Sequence, residues 1–237
     1  MIDEITTQVF ADGADLDDIA ALSGNDLISG FTTNPTLMWK AGLTDYPEFA
    51  SRVLEEIDGA PVSFEVFADD EDGIRTQART IAAWGDNVFV KIPVMTSTGE
   101  SLESVARELS QEGVKLNVTA VFTIEQVKAV SNALAGGAPS YVSVFAGRIA
   151  DAGLDPVPIV AESVQIVNET APESAVIWAS PREVFNLVQA DAVDCHVITM
   201  TQDLLAKIPS LGKDLEQFSL ETVQMFHGDA KEAGYTL

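Results

Sequence analysis

The sequence predicts an α/β fold, a single (β/α)8 barrel of the TIM type with an additional C-terminal helix, as one domain over residues 1–237. Three observations predict it. Eight short runs rich in Val, Ile and Phe alternate with segments of helical spacing, and near-continuous apolar strands separated by helices mark a parallel sheet covered on both faces. Eight such units is the number that closes a barrel, and 237 residues suits one barrel domain. No Gly-x-Gly-x-x-Gly follows the first run, which disfavours a doubly wound open sheet. No linker, low-complexity stretch or composition break divides the chain.

The elements follow in order. Val9 to Ala11 reads as a short first strand, followed by a helix capped near Asp15. Leu27 to Phe31 is the second strand, and Val62 to Phe67 the third, with a helix between Tyr46 and Ile57. Asn87 to Ile92 is the fourth, and Pro93 is expected to stop it. Lys115 to Phe122, Tyr141 to Phe145, Ser174 to Ala179 and His196 to Met200 complete the eight. Stretches 71–84, 101–112, 123–135, 157–170, 181–190 and 201–207 carry helical spacing, and 214–235 reads as the extra terminal helix.

Composition narrows the function. Thirteen Lys and Arg against 37 Asp and Glu leave a formal net charge of −24. Such a surface repels phosphates, which excludes a general nucleic-acid or anionic-membrane binder. Cys195 is the only cysteine, so neither a disulfide framework nor a multi-cysteine zinc site is available. Met1 to Glu4 is acidic and lacks the features of a signal peptide, and no apolar run approaches the ~20 residues that cross a bilayer. The cytoplasm is the expected location.

Chemistry in a barrel sits at the C-terminal strand ends, so polar residues there are the candidates. Asp12 follows the first strand and Thr32, Thr33 and Asn34 the second; Glu65 lies in the third and Lys91 in the fourth. Asn117 and Thr119 lie in the fifth, Ser143 and Arg148 close the sixth, and Ser180 and Arg182 follow the seventh. Any one of these is equally readable as a cap or a solvated loop; the recurrence over consecutive strands is the signal.

Lys91 is the sharpest of them. Its flanks, Val88-Phe89-Val90 and Ile92-Pro93-Val94, are apolar, and the chain has only seven lysines. An ammonium set among apolar groups costs free energy unless paired, and burial favours the uncharged amine that attacks carbonyls. A lysine snorkelling from the strand end to solvent is the competing reading. Asp12 and Glu65 can supply acid and base, with Thr119 holding a water. Arg148 and Arg182 are two of six arginines; Gly147 beside one and Ser180-Pro181 before the other suggest an anion cradle, against the plainer reading of surface ion pairs.

Other motifs fail. The run Ala68-Asp69-Asp70-Glu71-Asp72-Gly73 hints at a calcium loop, but its first and twelfth ligand positions fall on Ala68 and Arg79. There is no Walker sequence and no His-Glu-x-x-His, and only His196 and His227 are available to a metal. Cys195-His196 is expected to open a core strand, and Phe31 and Trp39 to pack in the core or at the rim. No metal or organic cofactor is implied.

With these residues in place, the sequence resembles the transaldolase family, in particular its short branch with the fructose-6-phosphate aldolases, from Val9 to about Phe226. Phe10-Ala11-Asp12 is similar to the family's first-strand aspartate segment, and Phe31-Thr32-Thr33-Asn34-Pro35-Thr36-Leu37 to its Thr-Thr-Asn-Pro-Ser signature. Val90-Lys91-Ile92-Pro93 lies where the family has its Schiff-base lysine. Ser143 to Ile149 and Ala179-Ser180-Pro181-Arg182 resemble its two phosphate-binding segments.

The resemblance implies a cofactor-independent transaldolase acting on sugar phosphates, with Lys91, Asp12, Glu65 and Thr119 catalytic. It assigns substrate binding to Thr33, Asn34, Asn117, Ser143, Phe145, Arg148, Ser180 and Arg182. Glu65, Phe145, Asn117 and Ser143 are the transaldolase choices; the aldolases carry Gln and Tyr at the first two. An aldolase using the same lysine, and a non-catalytic sugar-phosphate-binding barrel, are the alternatives. Pro181 and the longer loop Met95–Glu100 depart from the pattern, which leaves phosphate and sulfonate head groups both open. The short branch also implies a ring-shaped homo-oligomer, with Leu215, Phe218, Val223, Phe226 and Tyr235 as a docking face; packing of those residues on the chain's own barrel is an equal alternative.

Overall fold

The computed structural model describes residues 4–235, so Met1 to Asp3, Thr236 and Leu237 lie outside it. Eight strands are joined in sequence order into a closed barrel: β1 (Gln8–Asp12), β2 (Ile28–Thr32), β3 (Val62–Glu65), β4 (Val88–Pro93), β5 (Leu116–Val121), β6 (Tyr141–Val144), β7 (Ala175–Trp178) and β8 (Val197–Thr201). Every pairing is parallel, and β8 returns to β1 with Phe10 opposite Thr199. Around them run α1 (Leu16–Ser23), α2 (Pro35–Lys40), α3 (Tyr46–Glu56), α4 (Glu71–Ala82), α5 (Glu103–Gln111), α6 (Ile124–Leu134), α7 (Ala146–Asp151), α8 (Pro156–Thr170), α9 (Phe185–Asp191), α10 (Gln202–Leu205) and α11 (Leu215–Glu232). The predicted barrel with a terminal helix is the observed architecture. Among the described residues no helix is long and apolar enough to cross a membrane.

Strand parity divides the core in two. Val9, Val62, Phe64, Val90, Ile92, Val118 and Val142 pack in one large cluster with the helices. Phe10, Ile177, Ala179 and Val197 form a separate cluster with Tyr141 and Phe145. Phe10 meets Tyr141 edge-on at 5.6 Å, and Tyr141 lies 4.3 Å from Phe89. Gly30 makes room for this aromatic packing: a Cβ there would stand 2.7 Å from the Phe10 ring. Above it the inward positions turn polar.

Part of the acidity caps helices. Asp15, Asp45, Asp70, Asp155 and Asp214 each accept backbone N–H bonds at the start of a helix, at about 1 kcal/mol per cap. Thr123 and Gln126 form a reciprocal capping box on α6. Asp70, from the run that hinted at calcium, is thus a cap, while Asp69 accepts from the Ser97 backbone at 2.7 Å.

Some boundaries differ from expectation. Pro93 is the last residue of β4, opposite Thr119, and does not cut the strand short. It shares a side with Lys91, whose carbonyl accepts from Val66, and β3 has ended there, so no ladder bond is lost. Helix α9 starts only at Phe185, because the Asn186 side chain accepts from the Arg182 and Glu183 N–H groups and holds a turn. Phe31 is buried as expected, whereas Trp39 is 80% exposed.

Cys195 and His196 precede β8. His196 Nδ1 accepts from the Val176 N–H at 3.0 Å, so the proton sits on Nε2, which donates to Asn168 Oδ1 at 3.0 Å. Burial lowers the His196 pKa below its ordinary 6.5, against an opposing pull from Asp194. A lowered folded-state pKa means that this stabilisation is complete above 6.5 and is lost as pH falls from there through the lower folded-state value. Thermal midpoints of wild type and His196→Gln should therefore converge as the pH is lowered towards the carboxylate range. A constant gap contradicts the assignment.

Candidate active site

A cavity of about 510 Å³ opens at the C-terminal ends of the strands, and ten of the twelve residues singled out from sequence line it; Thr33 and Arg182 do not. Lys91 lines this cavity, and by register Glu65 stands beside it on β3 and Asn117 on β5. Lys91 is 7% exposed. Its apolar neighbours Val90 and Ile92 face the helices, while Lys91 itself points among polar groups. Nζ donates to the Thr33 carbonyl at 2.7 Å and lies 3.6 Å from Glu65 Oε2. Thr33 thus contributes its backbone; its hydroxyl donates away, to the Ser63 carbonyl at 2.9 Å.

The two carboxyls share one physical situation. Burial raises the pKa of Asp12 above its ordinary value, and Lys91 and hydrogen bonds from Thr32 and Asn34 oppose that rise. Burial also raises Glu65, Lys91 opposes it, and the negative charge of Asp12 adds to it. Burial makes both acids reluctant to ionise, and both sit beside Lys91, which is the setting acid–base work uses.

Hydroxyls orient Asp12. Thr32 Oγ1 donates to Asp12 Oδ1 at 2.7 Å, and Asn34 Nδ2 donates to Oδ2 at 3.3 Å. Thr32 and Thr199 hydroxyls are 2.5 Å apart. With the Thr32 proton committed to Asp12, Thr199 must donate to Thr32, giving a directed chain Thr199–Thr32–Asp12. Sequence reasoning overlooked Thr199, yet it lies opposite Phe10 on β8 and so shares the inward parity.

On the far wall Ser143 Oγ donates to Asn117 Oδ1 at 2.7 Å, and Asn117 Nδ2 donates to Ser63 Oγ at 2.9 Å, which fixes the amide's orientation. Thr119 Oγ1 is buried without a protein partner. Ala120 and Ser180, both lining the cavity, hold left-handed φ values of 59° and 60°. That conformation costs a non-glycine residue about 1–2 kcal/mol.

Arg148 adds a guanidinium to the cavity lining, 5.7 Å from the centroid of the Phe145 ring. Its segment is locked to the end of β7: Gly147 N–H donates to the Ala179 carbonyl at 3.3 Å. Arg182 turns elsewhere. Its guanidinium holds Asp151 in a bidentate pair at 2.5 Å and 3.0 Å and touches Ser180 Oγ at 3.0 Å. Asp151 was not foreseen, because a long side chain takes the nearest carboxylate whatever its sequence distance.

Comparison with known proteins gives the family. Residues 9–237 match the family described as Transaldolase/Fructose-6-phosphate aldolase. A protein named "Probable transaldolase" from Dehalococcoides mccartyi is 37% identical over 201 residues, covering 85% of this chain and 89% of that one. Another of that name from Thermoanaerobacter is 36% identical over 212 residues, covering 88% and 94%. Among solved structures, dihydrodipicolinate synthase from Thermotoga maritima superposes with a TM-score of 0.60 at 14% identity, over 95% of this chain and 81% of that one, a likeness of fold alone. With family match, relatives and barrel in agreement, the chain belongs to the transaldolase/fructose-6-phosphate aldolase family.

Proposed function

We propose that the protein is a transaldolase that moves a three-carbon dihydroxyacetone unit between sugar phosphates through a Schiff base on Lys91. The observation that carries this reading is the buried Lys91 amine between Glu65 and the Thr33 carbonyl, with Asp12 in the same cavity. Nζ attacks the C2 ketone of fructose 6-phosphate or sedoheptulose 7-phosphate, and the carbinolamine loses water to give the imine. Glu65 and a water on Thr119 carry protons in that step. Asp12 takes the C4 hydroxyl proton, the C3–C4 bond breaks into an enamine on Lys91, and an aldose phosphate leaves. The enamine attacks a second aldehyde, Asp12 returns the proton to the new hydroxyl, and water releases the product ketose.

Asn34, Asn117 and Ser143 hold the sugar hydroxyls. Arg148 and Ser180 take the terminal phosphate, and Arg182 joins them by exchanging Asp151 for it. Phe145 has no hydroxyl with which to present a water to the enamine, which supports transfer over hydrolytic release. Fructose 6-phosphate with erythrose 4-phosphate should turn over, and omitting the acceptor should stall the reaction after the first cleavage. Continuous release of dihydroxyacetone without acceptor makes the protein an aldolase instead.

We also propose that the protein assembles as a homo-oligomer through α11. That helix buries none of its residues on its own barrel, leaving Leu215 79% and Phe226 62% exposed. Light scattering on a chain ending at Gly212 should report a smaller particle than the full chain; equal sizes refute this.

A further inference from the structure

Beside Lys91 the pairing of the barrel sheet is short. β2 and β3 pair only at Phe31–Val62 and Thr32–Ser63, and the last bond runs from the Thr33 N–H to the Ser63 carbonyl at 3.2 Å. The chain then leaves the sheet through Asn34 into α2. Glu65 lies two residues beyond Ser63, so its N–H and C=O face the side where β2 has gone. A buried strand end cannot leave both groups unpaired.

A single phenol meets them. The Glu65 N–H donates to Tyr46 Oη at 2.7 Å, and the Tyr46 hydroxyl donates back to the Glu65 carbonyl at 3.2 Å. Tyr46 is the first residue of α3, and Phe64, Phe67 and Trp84 surround its ring at 6.1, 4.8 and 5.4 Å. Across the gap the Thr33 carbonyl, which a continued ladder would give to the Glu65 N–H, accepts from Lys91 Nζ. The phenol therefore keeps Glu65 from claiming the acceptor that Lys91 uses.

We propose that Tyr46 is a positioning residue: its hydroxyl stands in for the missing β2 backbone, setting the reach of the Glu65 carboxyl and reserving the Thr33 carbonyl for Lys91. This rests on the reading of Lys91 and Glu65 as the imine-forming pair. Removing the hydroxyl frees the Glu65 N–H to compete for Thr33 and draws β3 towards β2, shifting both reacting groups. Burial also pushes the Tyr46 phenol well above its ordinary pKa, so it remains a donor throughout the working range.

The test is a double-mutant cycle of Tyr46→Phe and Glu65→Gln, read as kcat, KM, the acid limb of the kcat/KM–pH profile and the thermal midpoint. Tyr46→Phe keeps the ring, so kcat should fall by about tenfold to 10²-fold and the acid limb should move, with KM within about twofold. In the Glu65→Gln background the same change should cost less than about twofold, because the residue acts through Glu65. Tyr46→Phe that lowers only the thermal midpoint, or effects that multiply, overturns the proposal. Glu65→Gln that forms the imine and turns over like wild type sinks the underlying reading by itself, without any Tyr46 variant. If Tyr46→Phe does not fold, 3-fluorotyrosine at position 46 keeps packing and hydroxyl while strengthening the donor; an unmoved acid limb then overturns the proposal.

Discussion

Replacing Lys91 with methionine is expected to reduce turnover by a factor on the order of 10⁴ or more, because the proposed imine forms on its amine. Methionine fills nearly the same volume without an amine, so the barrel should remain folded and circular dichroism should match wild type. The electrostatic consequence can be checked separately. Lys91 lowers the proton affinity of both Asp12 and Glu65, so in its absence both carboxyls should titrate at higher pH than in wild type, which a difference titration reads. Arginine at the same position would restore the charge and leave turnover absent. That separates the amine's nucleophilicity from its charge.

Gly147→Ala should be the most damaging single methyl beside Arg148 and Ser180. A Cβ there would lie 1.6 Å from the Ser180 carbonyl oxygen and 2.7 Å from its carbon. Backbone is on both sides of the clash, and Ser180 already holds a left-handed φ of 60°, so no side chain can rotate to relieve it. The segments bearing Arg148 and Ser180 must separate, at a cost of about 3 kcal/mol or more. That corresponds to a thermal midpoint roughly 6–12 °C lower for a chain of this size. If the variant folds, KM for a phosphorylated donor should rise more than kcat falls, since the lysine end is untouched. Equal stability and an unchanged KM would mean that the two segments are not locked together.

Much of this molecule was legible in its residues, for reasons that also explain the gaps. The strands were visible because a parallel sheet covered on both faces leaves continuous apolar runs. The six-residue helices α2 and α7 have no counterpart in the sequence reading. The site followed from strand-end position, which brought ten of twelve candidates to one cavity. Lys91 was found for a partly misleading reason: its apolar neighbours face outward, and its own surroundings are a carboxylate and a carbonyl. Arg182 was placed beside the anion by proximity in sequence, yet its guanidinium holds Asp151, 31 residues away. Thr33 stands out in sequence as a polar strand-end residue, yet it meets Lys91 through its backbone carbonyl. The acidity that first excluded polyanionic partners has a local use, since five aspartates cap helices.

The central claim is a covalent imine between Lys91 and the three-carbon unit of a ketose phosphate. Borohydride reduction in the presence of fructose 6-phosphate and without acceptor, followed by peptide mass mapping, tests it most directly. The account predicts one stoichiometric adduct with the mass of a reduced dihydroxyacetone unit, on the peptide containing Lys91. No adduct, or an adduct on another of the lysines, would contradict it.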